Sequence, residues 1–522
     1  MRTVAAWLAA ASLLCAQPAA APDVSSRIRE EAEKRSQVMK HLHVLTDRYG
    51  PRLTGSPNYE AAARWAAAQL SGWGLANARL EAWDFGHPGW SNERAAGHFV
   101  APVRDALVFE VMAWTPSTNG AARGEAVLLA PPASPSKEEL DAWLQEHAAR
   151  VKGRIVLLGK PREIPVSFSA AQKRLDDEAV KRRLEARGGP PMRAPAPKTE
   201  PGKLTPQQVS AAIDAWLVST GALVKILDSG MPHSTIRAFQ NRTYDVTKSV
   251  PAVYLRNEDY GRAARLIESG EKVEMEFEIV NRTHPGTTTW NVLADIPGSD
   301  KPEDVVMIGA HLDSWHAATG ATDNAAGVAV MMEAVRLIQA LQLKPRRTIR
   351  IALWSAEEQG LLGSKHHVQA NYGTFEQPKP AFGSLVAYLN LDSGTGRIRG
   401  ASVFGPEEAA AMVRTALEAF RDAGAAGAAP SSSRREGGTD STSFSSAGLP
   451  AIGFFQDPIE YFQQTWHTNL DTYERAVPED LRQASAVIAA VAWHLASSED
   501  RLPRFTRETM PAPAHAEPPV TQ

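Results

Sequence analysis

The fold is decided by residues 304–314, which have the sequence DVVMIGAHLDS. The apolar run 305–310 is short, continuous and bounded by polar residues, which is typical of a strand buried on both faces of a sheet. His311 and Asp313 follow this run directly. The stretch therefore predicts a buried strand that ends in side chains able to bind a metal ion or to move a proton.

Outward from this stretch, apolar runs alternate with helical patterns along the chain. Further strand-like runs are residues 349–354, 385–391 and 451–455, and helical patterns cover 324–341, a short segment from 357, 406–423 and 478–496. Strands that alternate with helices at this spacing predict an α/β fold, in which a mixed central sheet carries helices on both faces.

Polar side chains follow each predicted strand, at the edge of the sheet where functional groups usually collect. They are His311 and Asp313 after the first strand, Glu357 and Glu358 after the second, Asp392 after the third and His467 after the fourth, with Asp323 at the start of the first helix. Each has an ordinary structural explanation when taken alone, such as a helix cap for Asp323. Their convergence on one edge favours a metal site.

The types of side chain in this set indicate which metal they would bind. Two imidazoles and three carboxylates suit a pair of borderline divalent ions, most simply zinc, held about 3.5–4 Å apart. One carboxylate has to bridge the ions and another has to stay free to move a proton. Because neighbouring side chains diverge, Glu358 can bind a metal while Glu357 faces a bridging water as the general base. Asp313 could orient the His311 imidazole.

The N-terminus has the pattern of an export signal. Arg2, an apolar run over 4–14 and alanine-rich sequence up to 21 predict a signal peptide over residues 1–21, too short in its apolar part to span a membrane. We therefore expect a periplasmic or extracellular protein. A net charge of −3 gives no electrostatic reason to expect nucleic acid as a partner.

Composition divides the rest of the chain. Between residues 113 and 284, short β-like runs alternate with proline- and glycine-rich connections, which predicts a mainly-β domain inserted into a catalytic domain of residues 22–112 and 285–501. Within the insertion, residues 160–208 are rich in charge and proline, and we expect no core element there. The proline-rich tail 502–522 is expected to be disordered.

Several short motifs resemble those of the co-catalytic zinc exopeptidases. They are His311-Leu312-Asp313-Ser314-Trp315, Gly320-Ala321-Thr322-Asp323, Ala356-Glu357-Glu358-Gln359-Gly360, Asn390-Leu391-Asp392-Ser393-Gly394 and Gly438-Thr439-Asp440. The early loop 52–56 is similar to the branch of plasma glutamate carboxypeptidase, also called carboxypeptidase Q, and the insertion resembles the protease-associated domain of these enzymes. His316 departs from that branch, which has an acidic residue there.

The resemblance implies a role for each residue of the set. His311 and Asp392 would bind one zinc ion, Glu358 and His467 would bind the other, and Asp323 would bridge them, giving two Zn²⁺ per chain. Glu357 would be the general base in the hydrolysis of dipeptides or short peptides.

The end of the peptide that is recognised stays open at this point, with a carboxypeptidase or dipeptidase favoured by the resemblance and an aminopeptidase as the alternative. A single-zinc glutaminyl cyclase and a non-catalytic binding ectodomain are further alternatives, which the metal content and the activity would distinguish. A homodimer is a further expectation.

Overall fold

The computed structural model describes residues 23–186 and 199–513. The predicted signal peptide therefore lies outside the described residues, as do residues 514–522 of the tail. Within the described ranges, no helix combines the length and the apolar character needed to cross a bilayer.

The described residues contain sixteen strands and twelve α-helices. The strands are β1 (Ala76–Asp84), β2 (Gly89–Ala101), β3 (Asp105–Ala106), β4 (Phe109–Val111), β5 (Ala122–Leu129), β6 (Ile155–Leu158), β7 (Val224–Asp228), β8 (Ala252–Leu255), β9 (Glu274–His284), β10 (Thr288–Ile296), β11 (Lys301–His311), β12 (Arg347–Trp354), β13 (Leu385–Asn390), β14 (Ile398–Phe404), β15 (Ala428–Ser431) and β16 (Ala451–Gln456). The helices are α1 (Val24–Arg35), α2 (Val38–His43), α3 (Pro57–Gly72), α4 (Lys137–Val151), α5 (Asp177–Glu185), α6 (Pro206–Thr220), α7 (Asn257–Glu268), α8 (Ala326–Ala340), α9 (Leu362–Asn371), α10 (Glu407–Leu417), α11 (Ser441–Ser446) and α12 (Pro478–Ser497).

The first sheet has the strand order β1-β10-β12-β11-β13-β16-β14-β15. Its four central strands, β12, β11, β13 and β16, pair in parallel, whereas β1, β10 and β14 pair with their neighbours in the antiparallel sense, apart from the parallel pair of β14 with β15. The predicted mixed α/β sheet is therefore confirmed. Because the central strands are parallel, their carboxyl ends lie at one edge.

Strand β11 shows why these residues form the centre of the sheet. Val306 and Ile308 face the core that α8 and α12 cover, and Met307 faces a second core that contains Trp354 and Phe444. Alternate side chains of a strand point to opposite faces, so an uninterrupted apolar run fits a strand with a core on each side. Burying each large aliphatic side chain stabilises the fold by about 1.5–3 kcal/mol.

The second sheet has the order β3-β2-β9-β5-β6-β7-β8-β4 and its own apolar core. It begins with β2 at Gly89, earlier than residue 113, where the sequence places the start of the insertion. The reason is that β2 pairs along most of its length with β9, which closes the insertion. The division into domains stays a proposal, with Gly89 as the structural start of this sheet.

Two segments expected to lack core elements pack against the first sheet where they are described. Helix α5 contacts β14 and β15 and buries Val180, within the charged segment 160–208. In the tail, Leu502 is buried and the Phe505 ring lies 5.2 Å from that of Phe404. Isolated apolar residues in polar surroundings anchor both segments, and such sparse anchors leave no periodic pattern in the sequence.

Candidate metal centre

The first group of candidate ligands surrounds His311, the last residue of β11. Its Nε2 atom lies 3.2 Å from Oδ1 of Asp323 and 3.5 Å from Oδ2 of Asp392, which follows β13. The other ring nitrogen, Nδ1, lies 3.0 Å from the backbone oxygen of Asp313. Because Nδ1–H donates to this carbonyl, the lone pair of Nε2 points towards the carboxylates.

The second group surrounds His467, in the loop after β16. Its Nε2 atom lies 3.2 Å from Oδ2 of Asp323 and 3.1 Å from Oε2 of Glu358. Asp323 thus stands between the two imidazoles and offers one carboxylate oxygen to each. The structure brings together all five of the residues that the sequence singled out as metal ligands, in two groups that share Asp323.

Glu357 lies on the side of the first group, and its Oε2 is 4.0 Å from Nε2 of His311. Its side chain is 11% exposed, against 1% for that of Glu358. The two neighbouring glutamates therefore diverge, with Glu357 open to the solvent side. The helix expected from residue 357 begins only at Leu362, because the glutamates lie in a turn whose Ala356 and Leu361 have positive φ angles of 53° and 62°.

Asp313 contacts both this turn and the imidazole. Its carboxylate accepts the backbone N–H groups of Glu357, at 3.2 Å, and Glu358, at 3.3 Å. The same carboxylate lies 3.7 Å from Nδ1 of His311, which donates to the backbone carbonyl of Asp313 at 3.0 Å, so the orienting role of Asp313 stays a prediction. The Asp313 side chain fixes the segment that carries the candidate base and one candidate ligand.

Several buried polar atoms of the cluster lack a hydrogen-bond partner of good geometry among the described residues. They are Nε2 of His311, Oδ2 of Asp323 and both carboxylate oxygens of Glu358. Buried carboxylates are costly unless they are paired, and here they face one another. A divalent cation would supply the missing partner, and a donor set of imidazole and carboxylate suits zinc. The residues present therefore fit a zinc centre.

The pKa shifts of the metal-free site also fit a cation-binding centre. Burial opposes a charge on His467, but Glu358 and Asp323 outweigh it and raise its pKa to about 9. His311 follows the same pattern, since burial is outweighed by Asp392 and Glu357 and its pKa lies well above the usual value. Burial raises the pKa of Glu357 well above its ordinary value, which suits a group that must accept and hold a proton.

Sequence reasoning did not identify four residues that complete the surroundings of the site. Thr54 donates to Asp313 at 3.3 Å, and Arg52 is fully buried beside it. Asp471 is buried four residues after His467, and burial raises the pKa of Asp440 to about 7. Arg52, Thr54 and Asp440 lie in motifs that carry the family resemblance, which was their one signal. Nothing local pointed to Asp471.

The second sheet contributes a loop to the same place. The ring of Phe239 lies 5.7 Å from that of His467 and 5.4 Å from that of Trp315. Ile236 N–H donates to Oδ1 of Asn469 at 2.8 Å. His316 turns away from the cluster and donates from Nε2 to the carbonyl of Val111 at 2.6 Å, and burial lowers its pKa to about 4. The hydrogen bonds of Ile236 with Asn469 and of His316 with Val111 thus join the part of the chain that forms the second sheet to loops near the candidate ligands.

The sequence is similar to those of known peptidases. Residues 291–492 match the family model of peptidase family M28, and this range contains all the candidate ligands. Carboxypeptidase Q of Mus musculus is 27% identical over 89% of this chain and 87% of its own length, and that of Homo sapiens is 28% identical over 91% and 88%.

Solved structures agree with the family match. The peptidase M28 precursor of Shewanella amazonensis superposes with a TM-score of 0.65 at 25% identity, covering 92% of this chain and 98% of its own. A zinc aminopeptidase of Bacillus subtilis shares the fold, with a TM-score of 0.54 at 17% identity over 90% of this chain and 95% of its own. The resemblance found in the motifs is confirmed: residues 291–492 match peptidase family M28, and the chain is a zinc-dependent metallopeptidase.

Proposed function

We propose that the protein is a di-zinc exopeptidase that hydrolyses dipeptides or short peptides. The observation that carries the proposal is the placement of Asp323, whose two carboxylate oxygens each lie 3.2 Å from a different imidazole. His311 and Asp392 would hold one ion, Glu358 and His467 the other, and Asp323 would bridge them.

The mechanism assigns the proton transfers to Glu357. When bound, the two zinc ions would polarise the peptide carbonyl and make the attacking water more acidic. The Glu357 carboxylate takes the proton from this water and passes it to the leaving amine. Asp313 holds the backbone of Glu357 in place, so the carboxylate meets the water without reorganising its turn.

A free carboxyl terminus is the favoured recognition element. Support comes from the carboxypeptidase Q relatives, which align over about nine-tenths of this chain. A carboxypeptidase also needs a cation or amide donors for the carboxylate of its substrate, and Lys365 is the candidate cation. Its ammonium donates to the Gly360 carbonyl at 2.8 Å, in the turn that follows Glu357, and is attracted by the charges of Asp440 and Glu357. An aminopeptidase stays the alternative, because the acids of the site could bind a substrate amine.

A dipeptide library blocked at either end tests this choice. We expect amidation of the carboxyl end to abolish cleavage by the zinc-loaded enzyme. If acetylation of the amino end abolishes it while amidated peptides are cleaved, the enzyme is an aminopeptidase. Cleavage of peptides blocked at both ends would contradict exopeptidase activity altogether.

The role of Lys365 is tested by Lys365→Met. The variant should raise KM about tenfold with little change in kcat, because the removed charge binds the ground state and the transition state alike. Lys379→Met is the matched control, since Lys379 also donates to a backbone carbonyl, that of Ala370 at 2.9 Å. An equal rise in KM in both variants would exclude a specific role for Lys365.

Three further parts of the proposal have direct measurements. Metal analysis should give two zinc ions per chain, whereas one ion would favour a glutaminyl cyclase and inactivity with zinc present would favour a binding ectodomain. Mass analysis of exported protein should show that residues 1–21 have been removed. Light scattering would show whether the protein is a homodimer.

A further inference from the structure

The loop Thr319–Asp323, which carries the proposed bridging carboxylate, is held on its two sides by two buried charges of opposite sign. Arg52 donates from Nη1 to the Thr319 carbonyl at 2.8 Å and from Nη2 to the Gly320 carbonyl at 2.9 Å. Asp471 accepts the backbone N–H groups of Thr322 at 2.5 Å and Asp323 at 3.1 Å. The cation thus binds the carbonyls of the loop, and the anion binds its amides.

Both charges are removed from water. Arg52 is 0% exposed and Asp471 is 4% exposed. The remaining acceptors of the Arg52 guanidinium are the carbonyls of Leu312, Leu45 and Gly50, so each of its hydrogen bonds ends on a backbone oxygen. Buried charges are costly unless they are compensated. Burial lowers the pKa of Arg52 to about 10, and Asp471 is the largest of the carboxylates that oppose this effect, ahead of Asp313 and Asp323.

The loop needs such partners because it is not regular. Asp323 has φ −132° and ψ 88°, outside the helical region, and the N–H groups of Thr322 and Asp323 donate to the Asp471 carboxylate. Gly320 packs so closely that an added Cβ would lie 2.3 Å from Cβ of Ser314 and 3.0 Å from Nη2 of Arg52. The loop therefore follows the surface that Arg52 provides, while Asp471 holds its other side.

We propose that Arg52 and Asp471 are positioning residues for the metal centre, forming a charge clamp on the loop Thr319–Asp323 that places the bridging carboxylate before metal binds. Asp471 also lies four residues after His467, so the clamp joins two of the three ligands of the second ion. The clamp sets the affinity for that ion. The inference rests on the proposed two-zinc function.

The proposal is tested by measuring the zinc affinity of the Asp471→Asn variant. The amide keeps the size of the side chain but loses the charge and one acceptor, so one N–H of the loop loses its partner. Chelator competition should show that the weaker of two zinc ions binds ten- to a hundredfold less tightly, with the stronger ion little changed, as is typical for residues that support ligands. Arg52→Lys keeps the charge but not the forked geometry of the guanidinium, and it should lower the affinity for the same zinc ion. This variant serves as the test if Asp471→Asn fails to fold.

Asp259→Asn is the matched control. Asp259 is also 4% exposed, accepts the N–H of Val108 at 3.1 Å and pairs with Arg256, but it lies in α7, which packs on the second sheet. It should keep both ions at the affinity of the original protein. Equal zinc loss in the control would mean that instability, not the clamp, sets the affinity, and would overturn the proposal.

A double variant separates a clamp from two independent supports. Since both residues act on one loop, Arg52→Lys with Asp471→Asn should weaken zinc binding less than the product of the two single effects. Multiplicative effects, or full affinity for two ions in Asp471→Asn, would refute the clamp. If the unaltered protein itself holds one zinc ion, the two-zinc function fails instead, so metal analysis distinguishes the two failures without an activity assay.

Discussion

Removal of zinc should make the stability of the protein depend on pH between 7 and 9.5. The cause is His467, whose pKa is raised to about 9 because Glu358 and Asp323 outweigh the effect of burial. In the unfolded chain the imidazole titrates near its ordinary pKa of about 6.5. A raised folded-state pKa contributes stability that is fully present below the unfolded pKa and is lost as the pH rises through the folded one.

The size of the loss follows from this difference. About 2.5 pKa units correspond to about 3.4 kcal/mol, of which about 2.5 kcal/mol remains at pH 7, and almost all of that is lost by pH 9.5. His311 changes in the same direction, since its pKa also lies well above the ordinary value. Burial raises the pKa of Glu358 to about 7, so most of its own contribution has already been lost at pH 7.

Urea unfolding measures the effect. The chelated protein, followed by tryptophan fluorescence, should lose at least about 2 kcal/mol of unfolding free energy between pH 7 and 9.5. The zinc-loaded protein should lose much less, because metal ligation keeps both imidazoles deprotonated throughout. Metal-free His467→Gln should show a smaller pH dependence than the metal-free parent. Equal stability of the metal-free protein at the two pH values would refute the reasoning.

Three further predictions concern the candidate metal centre and the Phe239 ring beside it. Glu357→Gln should keep its zinc but lower kcat about 10²–10⁴-fold, since it loses only proton transfer; metal analysis and steady-state rates check both parts, and unchanged turnover would remove Glu357 from the mechanism. Asp323→Ala should lose zinc on dialysis, because both ligand groups share this carboxylate; retention of both ions would contradict the bridge. Phe239→Ala should keep its zinc and lower kcat/KM several-fold more for peptides with a large apolar residue than for alanyl peptides, because the Phe239 ring lies 5.7 Å from that of His467 and offers apolar surface beside the centre. Phe109→Ala, in a ring contact elsewhere in the second sheet, is its control, and parallel changes in both variants would exclude a role of Phe239 in selectivity.

The sheet and the candidate ligands could be predicted because their signal is local. The run 305–310 is buried on both faces of the sheet, so it is apolar throughout, and the groups of the site follow strand ends directly. The parallel order of the central strands then brings together residues as far apart in the chain as His311 and His467.

The supports of the site could not be predicted in the same way. Arg52 binds the carbonyl of Leu312, 260 residues away, and Asp471 binds the amide of Thr322, 149 residues away. Backbone carbonyls and amides are present at almost every position, so such partners leave no residue pattern. For the same reason the sequence did not show that the Asp313 carboxylate also accepts the backbone N–H groups of the two glutamates.

The two halves of the centre are supported differently, and this difference has a consequence for metal binding. His311 ends β11 and Asp392 closely follows β13, so both are fixed by the hydrogen bonds of adjacent parallel strands. Glu358 and His467 lie in a turn and a loop, and their backbone is held by side-chain contacts, such as that of Asp313 with the Glu358 amide and that of Asn469 with the Ile236 amide. Ligands on regular elements are held more firmly than ligands on loops. On the proposed two-zinc assignment, the ion that Glu358 and His467 would hold should therefore leave first on titration with a chelator, and the contacts of the second sheet should help to retain it.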